Sequence, residues 1–186
     1  MIRPWQRLGS TALGDFRIFK LRADRKRSPR NGYEQDFVVL ECAHWVNVVA
    51  VTPDQELVMV EQFRHGSGTV ELEIPGGMID REDSSPVAAG VRELREETGY
   101  EGAGARLLGR ISPNPALMEN TCYTVLVEQC RLRHELALDQ GEDLAVRLVP
   151  VKDVPRLISE GRIQHALVVV ALHYLRMHLE GVAPPV

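Results

Sequence analysis

Ser85 and Gly99 bracket the one stretch of this chain whose local structure is dictated at both ends. A serine supplies a helix cap, Pro86 suits the first turn, and a glycine belongs just past the last. Between them Val87, Val91 and Leu94 recur at i, i+4 and i+7, which predicts one apolar stripe on a helix. Elsewhere the pattern is different. Residues 16–22 alternate apolar and polar with period two, as a half-buried strand does. Residues 37–41, 46–51 and 57–63 read as three more strands, with Thr52-Pro53-Asp54 as a turn between the last two. Residues 105–111 and 121–130 return to strand character. Residues 154–160 predict a short helix and residues 165–179 a longer one with a wide apolar face. The basic stretch 23–32, with its Pro and its Asn-Gly pair, reads as a solvated hairpin loop. Strands followed by interspersed helices imply an α/β (α+β) fold, a mixed sheet with helices packed on its faces.

At 186 residues there is material for little more than one domain. Residues 1–42 are expected to form a β-rich extension serving as a dimerisation arm, and 43–186 the main domain. Lys plus Arg (22) against Asp plus Glu (26) leaves a net charge of −4. Any anionic ligand must therefore be held by local arrangement or by metal ions, and a nucleic-acid-coating protein is excluded. Three cysteines, Cys42, Cys122 and Cys130, are odd in number and never at C-x-x-C spacing, so neither a disulfide framework nor thiolate zinc is expected. No apolar run approaches a membrane span. The expectation is a cytoplasmic protein with no membrane and no nucleic-acid partner.

The chemistry is concentrated between Glu71 and Tyr100. A segment Glu71-Leu72-Glu73-Ile74-Pro75-Gly76-Gly77 reads as a strand ending in a turn, and the capped helix then carries Arg92-Glu93-Leu94-Arg95-Glu96-Glu97. Residues at i, i+3 and i+4 share a helix face, so Glu93, Glu96 and Glu97 gather their charge. Like charges at that spacing destabilise a helix, and anions in its last turn oppose its dipole. A solvated acidic face balanced by Arg92 and Arg95 would explain a lone Glu-Glu pair. Carboxylates gathered against electrostatics beside a Gly-Gly turn instead suit a hard cation with oxygen ligands.

Gly77-x5-Asp83-x8-Arg92-Glu93-Leu94-x-Glu96-Glu97-x-Gly99-Tyr100 resembles the Nudix box, G-x5-E-x7-R-E-U-x-E-E-x-G-U with U a bulky aliphatic. The C-terminal half agrees almost throughout. The loop is one residue longer, the first acid is Asp83 (or Glu82, counted from Gly76), and Tyr100 is aromatic. The resemblance implies a Nudix-type α/β/α sandwich that hydrolyses a nucleoside diphosphate linked to another moiety with Mg²⁺ or Mn²⁺. It implies Glu93 and Glu97 as metal ligands with the Gly76 carbonyl, Glu96 as a further ligand or water-positioning group, and Arg92 as the residue orienting the glutamates.

Outside the box the chain is similar to the ADP-ribose and nucleoside-diphosphate-sugar pyrophosphatases. Glu61-Gln62-Phe63-Arg64 resembles their E-Q-x-R strand, whose Arg contacts substrate, and Glu71–Gly77 resembles their E-x-P-A-G entry. Pro115, 15 residues after Tyr100, stands near a proline associated with ADP-ribose hydrolases. Glu142, in Gly141-Glu142-Asp143, resembles the acidic loop that reaches the metals. Glu119 is a further candidate for the substrate site and Met78 for its wall. The implied enzyme is a homodimer cleaving ADP-ribose to a nucleoside monophosphate and a sugar phosphate. GDP-mannose or another sugar nucleotide is the alternative substrate, and a non-catalytic Nudix-fold nucleotide-binding regulator the alternative role.

Overall fold

The computed structural model describes residues 1–138 and 140–182, and it begins with an antiparallel meander. Its strands are β1 (Gln6–Asp15), β2 (Phe19–Arg27) and β3 (Glu34–Cys42), in that order across one sheet. Residues 16–22 are thus not one strand. Phe16 to Ile18 form the β1–β2 turn, where Arg17 takes φ 69° and donates its amide to Asp15. The basic stretch does not loop out at residue 23 either. Arg25, Lys26 and Arg27 continue β2 because each meets a carboxylate within the sheet. Arg25 pairs with Glu34 and Asp36, Lys26 with Asp24, and Arg27 with Glu34. The loop proper is confined to 28–33.

This meander and a later segment, Ser112–Thr121, make one compact unit with residues Met1–His44. The segment is stitched in by the Leu40 amide donating to the Leu117 carbonyl, by Asn120 donating to the Ala43 carbonyl, and by Arg22 pairing with Glu119 at 2.7 Å.

The second unit comprises Trp45–Ile111 and Cys122–Val186, of which 183–186, the end of the expected main domain, lie outside the described residues. Its elements are β4 (Trp45–Ala50), β5 (Glu56–Arg64), β6 (Thr69–Glu73), β7 (Gly76–Met78), α1 (Pro86–Thr98), β8 (Tyr100–Ile111), β9 (Cys122–Leu132), β10 (Leu144–Pro150), α2 (Val154–Ser159) and α3 (Ala166–Leu179). Two sheets form, β7-β4-β9-β8 and β10-β5-β6; β4 and β9 run parallel and every other pairing is antiparallel. The expected Pro-Gly-Gly turn is a change of sheet. β6 pairs with β5, the chain passes Ile74-Pro75, and β7 then pairs with β4.

Alternation within β4, β5 and β9 distributes the core. Val46, Val48, Ala50, Val58, Val125 and Val127 pack with Ala89 and Leu94 of α1. Val49, Leu57, Met59 and Leu126 pack with Val168, Ala171, Leu172 and Leu175 of α3. Strands buried on both faces between two helices make the α/β/α sandwich expected from the sequence.

Helix α1 keeps the expected caps. The Ser85 hydroxyl accepts the Ala88 amide at 3.1 Å, and Gly99, at φ 71°, donates to the Arg95 carbonyl. Its buried face keeps only part of the expected stripe, with Leu94 buried and Val87 packed against the core. Val91 is exposed, while Ala89, Gly90, Glu93, Leu94, Glu97 and Thr98 are buried. Gly90 lies so close to Val46 and Val125 that an added Cβ would meet them at 3.2 Å. Small residues let the helix sit tight on β4 and β9, and that contact turns the glutamates inward.

Candidate active site

The inward turn of α1 places two carboxylates where carboxylates are rarely found. Glu97 is 4% exposed and Glu93 9%. Glu97 accepts the amide of Gly76 at 2.9 Å. Glu93 and Glu96 both accept from Nη1 of Arg92, at 3.0 and 2.9 Å. The other side of that guanidinium is held by Asp83, which accepts from Nε at 3.2 Å and from Nη2 at 2.9 Å, and by the Met78 carbonyl at 3.2 Å. Asp83, whose role the sequence left open, is thus Arg92's two-point anchor, and the Arg92 guanidinium holds its carboxyl below the usual range.

Burial pushes the Glu97 carboxyl up to about 8, with repulsion from Glu93 and Glu142 adding to it and the Gly76 amide opposing. Burial likewise pushes Glu93 up to about 7, Arg92 opposing and Glu96 and Glu142 contributing. The two glycines make the geometry possible. A Cβ on Gly77 would stand 2.5 Å from Oε1 of Glu93, and one on Gly76 only 2.2 Å from the Val46 carbonyl oxygen.

A cleft of about 440 Å³ collects most of the residues singled out in the sequence. Arg64, Gly76, Met78, Arg92, Glu93, Glu96, Glu97 and Glu142 all line it. Gln62 and Asp80 join them; the sequence reading gave neither a role, although Gln62 stands inside the quoted E-Q-x-R segment. Arg64 is fixed by Glu73 through two hydrogen bonds, at 2.8 and 3.0 Å. Pro115 and Glu119 belong to the first unit, where both line a cavity with Trp5 and Phe37, and Glu119 is taken up by Arg22.

The cleft's donor set suits a hard divalent cation. The groups able to hold a metal are carboxylate and carbonyl oxygens, and the burial that raises the Glu93 and Glu97 carboxyls is a cost that a bound cation would offset. Among the described residues, no three His, Cys, Asp or Glu side chains already surround one point as a ready-made cage. Glu93 is turned to Arg92 and Glu97 to the Gly76 amide.

Residues 44–170 match the NUDIX domain family. Among curated proteins the chain is 28% identical over 162 residues to a methanol dehydrogenase activator of Bacillus methanolicus, covering 87% of this chain and 86% of that one. It is 29% identical over 133 residues to an ADP-ribose pyrophosphatase of Bacillus subtilis (strain 168), covering 71% of each. A solved ADP compounds hydrolase shares the fold at a TM-score of 0.85 and 22% identity, with 97% of both chains covered. Among the described residues no helix is long and apolar enough to cross a membrane. With the box residues gathered on α1 and the domain matched over most of its length, the chain belongs to the Nudix family of hydrolases.

Proposed function

We propose that this protein hydrolyses the pyrophosphate of a nucleoside diphosphate sugar, ADP-ribose first among them, giving a nucleoside monophosphate and a sugar phosphate. One observation carries the reading. The guanidinium of Arg64 and the buried carboxylates of Glu93 and Glu97 line the same cleft. A cation that binds a diphosphate thus stands beside acids suited to a metal. Glu93, Glu96, Glu97 and Glu142 with the Gly76 carbonyl would hold Mg²⁺ or Mn²⁺, which would neutralise the pyrophosphate and acidify the attacking water. Arg92 keeps Glu93 and Glu96 oriented, Met78 forms a wall, and Arg64 binds the substrate in ground and transition state alike. The B. subtilis relative, named an ADP-ribose pyrophosphatase, supports this choice of substrate.

Assembly as a homodimer through residues 1–42, with 43–186 as the hydrolase domain, completes the reading. Its support is β1, a sheet-edge strand almost wholly exposed, with Leu8, Leu13 and, beyond it, Phe16 and Ile18 also exposed. Such an edge is a pairing liability that a twofold copy would cover. Free cysteines fit a cytoplasmic setting.

A panel of nucleotide sugars, including ADP-ribose and GDP-mannose, assayed with and without Mg²⁺ or Mn²⁺, tests the reading. Metal-dependent release of a nucleoside monophosphate is expected. Turnover of nucleoside triphosphates alone, or none at all, would overturn it. The second outcome would favour a regulator acting on another enzyme, the role that the B. methanolicus relative's name describes for that protein.

A further inference from the structure

Arg64 ends β5 and Glu73 ends β6, and the register sets Glu73 opposite Val60. Directly opposed residues and those two or four places along either strand share a sheet face, so Gln62, Arg64, Glu71 and Glu73 stand on the same one. Arg64 leans back along that face to meet Glu73 in a fork, Nε donating to Oε1 at 2.8 Å and Nη2 to Oε2 at 3.0 Å. The two partners are unequally buried. The Glu73 side chain is 3% exposed and that of Arg64 43%, on the cleft it lines. A carboxylate so deep needs a cation. His165, just ahead of α3, brings its buried Nδ1 only to 3.8 Å from Oε2, and that atom has no hydrogen-bond partner among the described residues.

Charge decides what else Arg64 would do. The Glu73 hydrogen bonds above all, and then the negative charges of Glu97 and Glu142, favour its charged form. A long, flexible cation beside those acids would turn towards them unless held. We infer that Glu73 is a positioning residue: it clamps Arg64 against β6, so that the guanidinium receives the diphosphate of a ligand in the cleft instead of neutralising Glu97 and Glu142. The inference rests on the proposed pyrophosphatase reading and adds to it a residue that touches no substrate.

Steady-state kinetics on the full chain, with the best nucleotide sugar of the panel, tests it. Glu73→Gln preserves volume, but its amide cannot accept at both ends of the fork. KM is expected to rise about tenfold, the size of one charged hydrogen-bonded contact, with a much smaller change in kcat. Arg64→Ala should raise KM at least as far. The double variant should be no worse than Arg64→Ala alone, since a clamp without its arginine has nothing to hold. Glu73→Asp retains the charge but withdraws the acceptors, and it carries the test if Glu73→Gln melts before assay; an intermediate KM is expected. Additive KM effects, or a fall in kcat with KM unmoved, would overturn the inference. If Arg64→Ala raises KM while both Glu73 variants leave it unchanged, the clamp alone is wrong. If Arg64→Ala itself leaves KM unaltered, or no nucleotide sugar is cleaved, the underlying reading fails and takes the clamp with it.

Discussion

Oε2 of Glu97 accepts the Gly76 amide at 2.9 Å, which ties the last turn of α1 to the first residue of β7. The bond fixes a carboxylate on a helix end where the dipole disfavours it. It also leaves the residue mostly desolvated, so the amide only partly offsets the burial that pushes Glu97 up to about 8. A group held in this way is poised to exchange its proton for a cation.

Glu97→Gln is therefore expected to abolish turnover without harming the fold. Glutamine's oxygen can still accept the Gly76 amide, and a neutral side chain removes the desolvated charge. Turnover should fall more than the 10–100-fold typical of losing a ligand's outer partner. The melting temperature should hold or rise. Near-wild-type kcat in the variant at saturating Mg²⁺ would refute the assignment.

Asp83 gives the acid-pH expectation. The Arg92 hydrogen bonds hold its carboxyl below its ordinary 3.8, against a smaller opposing effect of burial. A depressed acid stabilises the fold above its unfolded pKa, and that stability is lost as pH falls through the folded value. Asp83→Asn should thus cost about 1–3 kcal/mol near neutrality. The gap from wild type should close only below about pH 4, the ordinary aspartate value. Urea melts from pH 7 to pH 3 measure it; a gap independent of pH would mean that packing, not charge, accounts for the cost.

How far the sequence reached follows from where local signals exist. The caps of α1 were legible because Ser85, Pro86 and Gly99 act through their own backbone geometry. The stripe on α1 holds at Val87 and Leu94 but fails at Val91, because hydrophobicity favoured that valine whereas close packing at Gly90 decided the rotation. β1 escaped notice since a strand exposed on both faces has no alternation to read. Arg25 and Arg27 looked like loop residues because their partners Glu34 and Asp36 arrive from the next strand. The cluster on α1 was legible from spacing alone. The Arg64–Glu73 fork was not, because it depends on register between two strands.

The thiols should be nearly inert. Burial pushes Cys122 up to about 12 and Cys130 up to about 11, and Cys42, half-buried, is also raised by burial with Glu119 adding to it. The thiolate is the reactive form. A disulfide reagent at pH 8 should modify at most Cys42, and slowly, in the native protein, and all three after denaturation. Rapid modification of two or more native thiols would contradict the burial.

The two glycines of the β7 entry should fail in different ways when changed to alanine. At Gly76 the new methyl would press on the Val46 carbonyl oxygen at 2.2 Å, a backbone atom of β4 that cannot move without breaking the β4–β7 pairing. Gly76→Ala should lose about 1–3 kcal/mol, the usual cost of overpacking, and activity should fall with the fold. At Gly77 the methyl would meet the Glu93 carboxylate, at 2.5 Å from Oε1, and a side chain can turn aside. Gly77→Ala should therefore melt within a few degrees of wild type yet lose most of its kcat, because Glu93 is displaced from the cleft and from Arg92. Circular-dichroism melts beside kcat values separate the two. Equal melting losses at both positions would mean that Glu93 is not the group Gly77 makes room for.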